Sequence, residues 1–275
     1  RSRGLGDVYK RQGKEITSHL LNAVKKLKNV RMYEYTTLLD ILCDGSKCCG
    51  GIIRWPDGRE EQVEADYVIL ETGGIGGTYK HSTNFKHLTG DGVEIARRHN
   101  IELKNLDYVQ IHPTTLYSDN KEERSFLISE SVRGEGARLY DKNMNRFVDE
   151  LLPRDLLTQE IYKQMEKDGT DFVWEDLRTI PRDELISHFP NIIEHCSQAG
   201  YDVFHECIPI VPAQHYFMGG IKVNHNSKTS MDHLYAVGET ACNGVHGKNR
   251  LASNSLLESL VFEKRAAKEI AGERR

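Results

Sequence analysis

The sequence has no C-x-x-C pair. Its six cysteines, Cys43, Cys48, Cys49, Cys196, Cys207 and Cys242, are scattered. That disfavours a zinc site or a redox dithiol motif and suits a reducing, cytoplasmic setting. Cys48 and Cys49 read as surface-loop residues. No run of about 18 apolar residues occurs, so no membrane-spanning helix is expected. Basic residues are not in excess, with 37 Lys+Arg against 41 Asp+Glu, and no nucleic-acid footprint shows. No signal-peptide pattern opens the chain, and its first residue is arginine; the expectation is a piece of a longer protein. Internal repeats and low-complexity tracts are also lacking. Gly4 and Gly6 have neither a preceding strand nor a third glycine, so they form no dinucleotide loop.

What is present fits one large domain or two within 275 residues. Residues 1–13 read as an irregular or artefactual leader. Ile16, Leu20, Val24 and Leu27 fall at helical spacing and predict a helix over Lys14–Lys28. Strands are predicted at Val30–Thr36, Leu38–Cys43, Ile52–Trp55 and Glu60–Glu64, the last two joined by a Pro56-Asp57-Gly58 turn. Tyr67–Leu70 reads as a buried strand running into Thr72-Gly73-Gly74-Ile75-Gly76-Gly77. That glycine density is either a tight turn or a place where the backbone comes close to a ligand. Asp91 reads as the N-cap of a helix over Val93–His99.

From Leu106 to Phe217 the pattern predicts a mostly helical insert. Gln110-Ile111-His112-Pro113-Thr114 lies in an extended stretch, because Pro113 forces His112 out of helical backbone. The segment LISESVRGEGARL, residues 127–139, sets Glu130, Arg133 and Glu135 beside two glycines, a mix more typical of function than of a solvated face. Pro153 suits the first turn of a helix over Leu156–Lys167, and Arg154–Asp155 reads at minimum as a surface pair. Two helical segments are predicted within Asp171–Gln198, and a short strand at Ile208–Val211. His215 then precedes the Gly219-Gly220 turn.

The stretch HLYAVGETACNGVHGKNRLASNSLLESLVF, residues 233–262, organises the rest. A strand, Leu234–Val237, ends at Gly238, and Glu239 follows at its carboxyl end, where α/β folds place ligand-binding groups. A polar loop leads to Ser253 or Asn254, either able to cap a helix whose N-terminal N–H groups make an anion and cofactor site.

Together QIHPT, LISESVRGEGA, LPRD, PAQHYFMGGI and GE…HGKNRLASNSLLE resemble, in order, the succinate dehydrogenase, fumarate reductase and L-aspartate oxidase flavoprotein superfamily. The likeness runs from Lys14 onward. It implies an α/β chain with an α+β insert, that is, an incomplete FAD-binding Rossmann-like domain (residues 14–105 and 218–275) interrupted by a capping domain (106–217). A cleft between such domains would bind ligand. The resemblance further implies that His112, His215 and Arg250 hold the carboxylates of a four-carbon dicarboxylate, with Thr114, Ser129 and Glu130 in the same pocket. Arg154 would be the proton-transferring arginine. FAD would be contacted by Thr37, Leu38, Gly73, Gly74, Asp91, Glu239, Asn254, Ser255 and Leu256. Glu71 stands where the family usually carries a small residue.

The short Gly220–Gly238 connection and Ala252-Ser253-Asn254-Ser255 are similar to the L-aspartate oxidase branch. That branch oxidises L-aspartate to iminoaspartate with oxygen or fumarate as acceptor and passes the product to quinolinate synthase for NAD synthesis. The respiratory flavoproteins, with an iron–sulfur partner, and a noncatalytic binding module are the alternatives. The family's N-terminal dinucleotide loop and C-terminal helical bundle are missing, so this chain alone is expected to bind FAD poorly.

Overall fold

Tyr35 takes φ 56° and is 88% exposed. This left-handed turn is where the expected strand Val30–Thr36 fails, for Val30, Met32 and Tyr33 are exposed and no sheet strand forms there. The computed structural model describes residues 6–120 and 124–273. Of the leader, residues 1–5 lie outside the described residues. From Gly6 the chain is helical to Val24, earlier at both ends than the spacing predicts. Residues 7–12 hold no proline and several good helix formers, so nothing local delays the start.

The chain divides into two units. One comprises residues 28–78, 87–110 and 216–275; the other comprises 1–27, 79–86 and 111–215. In the first, Thr37–Asp44, Lys47–Arg54 and Glu60–Glu64 form an antiparallel meander. Its second turn closes as the sequence predicts, with Gly58 at φ 85° and Trp55 bonded to Arg59. Cys48 is buried and Cys49 half-buried within Lys47–Arg54, so both are strand residues and not loop residues. Val68–Leu70 pairs in parallel with Leu234–Ala236; Ile69, however, is half exposed. Leu103–Lys104, Gly220–Lys222 and Ala241–Cys242 make a third small sheet. Helix Asp91–Arg98 starts at Asp91 itself, and the N-cap is Gly90 at φ 86°. Asp91 instead accepts a hydrogen bond from Thr89 Oγ1 at 2.7 Å. Ile41, Cys48, Leu70, Ile95, Ile101, Ile221 and Leu234 form the core.

The other unit is built on a sheet, not mostly on helices. Five strands run in the order Phe126–Leu127, Val109–Leu116, Ile208–Phe217, Val173–Asp176, Arg138–Tyr140. Around them stand helices Glu130–Gly134, Arg154–Asp168, Arg182–His188 and Pro190–Gln198. The predicted strand Ile208–Val211 continues to Phe217. Pro212 made a stop the natural reading, since proline donates nothing to a ladder. The strand persists because Gln214 pairs with His81–Thr83 instead. Ile128, Leu139, Leu157, Ile161, Leu177, Ile208 and Ile210 are fully buried in its core.

Candidate functional site

The residues expected to bind FAD fall in the first unit. Those expected to bind substrate fall in the second, apart from Arg250. In the second unit His112 lies in strand Val109–Leu116 and is 2% exposed. Its Nδ1 faces the backbone of Thr114, 3.0 Å from O and 3.3 Å from N. Burial, then the charges of His215, Arg154 and Arg133, hold His112 well below the ordinary imidazole pKa, so at neutral pH it is uncharged. The His215 ring meets it edge-on at 5.5 Å between centroids. Thr83 Oγ1 lies 2.8 Å from His215 Nδ1, and Asn84 Nδ2 donates to His215 O at 3.2 Å. Thr83 and Asn84 were not singled out in the sequence, where nothing marks their pairing with His215.

Arg154 opens helix Arg154–Asp168 directly after Pro153. Its Nε donates to Glu130 Oε2 at 2.6 Å. Glu130 opens its own short helix, capped by Ser129, whose Oγ accepts from Ser131 N at 3.3 Å. The Thr114 hydroxyl donates to Ile128 O at 3.0 Å and so ties two segments of the sheet together. Behind these groups Arg133 is buried and donates to Glu150 O at 2.7 Å. Glu150, itself buried, takes Arg146 through Nε and Nη2 at 3.0 and 2.7 Å. Glu175 is fully buried, with no hydrogen-bond partner at either oxygen among the described residues. Burial pushes its carboxyl up to about 8, against the pull of Arg133. Nothing in the sequence marks Glu175, which sits in strand Val173–Asp176, within a region whose pattern predicts helices.

In the first unit Glu239 leans on the glycine loop. A Cβ on Gly74 would lie 2.7 Å from Glu239 Cδ, so only glycine fits there without moving the carboxylate. Glu239 Oε1 accepts the Phe217 N–H at 2.8 Å. Burial pushes Glu239 up to about 7, opposed by that hydrogen bond and by Arg250, and reinforced by Glu258. Gly73 has φ 71° and abuts Leu88. Thr72 Oγ1 donates to Thr240 Oγ1 at 2.9 Å, and a Cβ on Gly92 would clash with this pair; helix Asp91–Arg98 thus seats next to Glu239. Thr37 is exposed at its strand's start, while Leu38 packs on the core.

Helix Asn254–Glu273 follows Ser253 at φ 66°, with Asn254, Ser255 and Leu256 half-buried in its first turn. Glu71, at the odd position, hydrogen-bonds Glu263 of this helix; burial and then Glu71 push Glu263 up to about 7. The Arg250 guanidinium stacks on Tyr216 at 4.6 Å. Gln110 Nε2 donates to Asn249 Oδ1 at 2.7 Å and Arg250 O at 2.8 Å. Glu258, missed in the sequence, is buried and accepts from Asn243 Nδ2. A carboxyl that shifts toward neutrality, a glycine floor and helix N–H donors form a set that fits a flavin, with its hydroxyls and ring carbonyls.

The sequence model of the FAD binding domain family matches residues 1–256. The chain belongs to that family. It is 52% identical to the L-aspartate oxidase of Clostridium perfringens over 258 residues, covering 94% of this chain and 58% of that protein. To the L-aspartate oxidase of Clostridium acetobutylicum it is 48% identical, covering 94% and 59%. This FAD-family chain therefore spans little more than half the length of those relatives. A solved quinol–fumarate reductase with menaquinol molecules matches at TM-score 0.83 and 34% identity, over 93% of this chain and 48% of that one. The mixed α/β fold of this family member thus matches the flavoprotein fold of fumarate reductase. Among its described residues no helix is long and apolar enough to cross a membrane.

Proposed function

We propose that the protein is an FAD-dependent oxidoreductase that converts L-aspartate to iminoaspartate, with oxygen or fumarate as electron acceptor. The observation that carries this reading is the uncharged, buried His112 set edge-on to His215, in the unit that also holds the Arg154–Glu130 pair. The 52% identity to an L-aspartate oxidase supports it. Residues 14–105 and 218–275 form the Rossmann-like FAD-binding part, and 106–217 the capping part. The setting is cytoplasmic, and the unstable product is taken by quinolinate synthase.

In this account each imidazole Nδ1 accepts from a neighbour, the Thr114 N–H at 3.3 Å for His112 and the Thr83 hydroxyl at 2.8 Å for His215. In the tautomer bearing the proton on Nε2, both donate to a substrate carboxylate. Arg250 supplies a planar guanidinium for a carboxylate, a geometry lysine does not offer. Ser129 and Thr114 lie in the same unit as the two imidazoles. Arg154 moves a proton, with Glu130 at 2.6 Å as the exposed carboxylate that exchanges with water. Gly73, Gly74, Asp91, Glu239 and the first turn of helix Asn254–Glu273, with Thr37 and Leu38 at the margin, would hold FAD, which would supply the hydride-accepting chemistry.

The likeness to fumarate reductase supports a second reading, a respiratory flavoprotein acting on succinate and fumarate. The two separate in an assay of substrate-driven flavin reduction under anaerobic conditions. Reduction by L-aspartate and not succinate supports the first reading; the reverse supports the second.

A further inference from the structure

Asp40, His99 and Cys43 form a relay that belongs to none of the groups described above. Asp40 and Cys43 lie on strand Thr37–Asp44, and His99 ends helix Asp91–Arg98. His99 Nε2 is 2.8 Å from Asp40 Oδ1, and Arg98 Nη2 is 3.4 Å from the same oxygen. Burial works against the Asp40 charge. The hydrogen bonds from His99 and the Ile41 N–H, with Arg98, outweigh it and hold Asp40 below the usual carboxylate range. A carboxylate there takes the Nε2–H, which leaves Nδ1 as the accepting nitrogen. Nδ1 lies 3.5 Å from Cys43 Sγ.

Cys43 is exposed, while Cys48 is buried. The two are direct partners across the hairpin. Opposed residues in an antiparallel ladder have Cα atoms about 4.5–5.5 Å apart, within the span of a disulfide. The Cys48 N–H leaves the hairpin for Asp232 O at 2.9 Å. Burial, then Cys48, Cys49 and Asp40, push the Cys43 thiol up. The resting group is therefore a thiol, and a base must remove its proton as it reacts.

We propose that Cys43 is a peroxide-reactive thiol, with His99 as its base and Cys48 as its resolving partner. His99 Nδ1 takes the thiol proton, and the sulfur attacks one oxygen of hydrogen peroxide. The O–O bond breaks, and the departing hydroxide takes the proton from His99 and leaves as water. Cys43 is then a sulfenic acid. The Cys48 sulfur attacks the Cys43 sulfur, the S–O bond breaks, and hydroxide leaves with the Cys48 proton as a second water. In total two thiols lose two electrons, and one peroxide becomes two waters. The site stands on its own geometry and does not rest on the flavin reading.

The test treats the reduced 275-residue chain with hydrogen peroxide and maps its peptides without reduction. The expected result is a Cys43–Cys48 link, with Cys196, Cys207 and Cys242 still reduced. In Cys48→Ser, dimedone should trap a sulfenic acid at Cys43. His99→Gln should slow Cys43 oxidation by about tenfold or more. Asp40→Asn, which releases the imidazole tautomer, should slow it too and serves if His99→Gln fails to fold. A link from Cys43 to Cys49, or oxidation starting at Cys196, Cys207 or Cys242, overturns the proposal. So do unchanged rates in folded His99→Gln or Asp40→Asn.

Discussion

Arg154 reaches back from the first turn of its helix to donate through Nε to Glu130 Oε2 at 2.6 Å. The arginine side chain is 15% exposed and the glutamate 53%, so the pair runs from the interior to water. An arginine normally keeps its proton across the working pH range. A carboxylate at this distance gives that proton somewhere to go. Arg154→Ala should lower kcat of the flavin-loaded protein by about 10²–10⁴-fold. Bound flavin should be unchanged, because Arg154 lies outside the unit holding the expected flavin contacts. Steady-state kinetics with a flavin-content assay checks both. Retained turnover would sink the role of Arg154.

Glu175 offers a test that needs no cofactor. Its carboxyl is raised to about 8 in the folded chain, against 4.5 as its ordinary value. Between those values the folded state holds a proton that the unfolded state has lost. This contribution is therefore whole below pH ~4.5 and falls as pH rises to about 8, on the order of 1 kcal/mol per pH unit. Glu239 and Glu263, each raised to about 7, act in the same direction over a lower window. Glu175→Gln keeps the shape of the neutral acid and should remove the decline between pH 7 and 8. Urea unfolding at both pH values measures it; an equally steep decline in the variant would refute the assignment.

His112 carries the opposite sign. Its folded pKa is well below the ordinary 6.5, so below that pH the unfolded chain binds a proton the folded one refuses. Stability falls as pH drops below about 6.5, and His112→Gln should flatten that acid limb. Imidazole ¹⁵N spectra at pH 6 should show a neutral ring at His112. An imidazolium signal there would contradict the account.

Much of the fold was legible where local chemistry decides it. Pro56-Asp57-Gly58 announced its turn, and Pro113 fixed His112 in a strand. The glycine loop after Leu70 was visible, because a close approach leaves its mark as missing side chains. What was hidden depends on distant pairing. Ser82 meets Gln214 across 132 positions, and that contact carries the strand past Pro212 and sets Thr83 against His215. Val30–Thr36 has strand-like residues but no neighbouring strand, and Tyr35 turns the chain away. Glu175 and Glu258 are buried acids, and a carboxylate in a sequence reads as surface until its neighbours are known.

The contact between Gly74 and Glu239 gives a prediction for the flavin side. Gly74→Ala would put a Cβ 2.7 Å from Glu239 Cδ, so the carboxyl must leave the Phe217 N–H. Overpacking of this kind costs roughly 1–3 kcal/mol. The thermal midpoint should fall, and flavin affinity should fall further than in Asp91→Ala, whose carboxylate accepts from Thr89. Thermal melts and flavin fluorescence titrations compare the two. Equal affinities would show that Glu239 does not touch the cofactor.

The most direct test of the proposed activity is anaerobic flavin bleaching in a longer protein that contains this chain, loaded with FAD. L-aspartate is added first and succinate second. Flavin absorbance should fall on adding L-aspartate and stay unchanged with succinate alone. Bleaching by succinate without any response to L-aspartate would contradict the proposed activity.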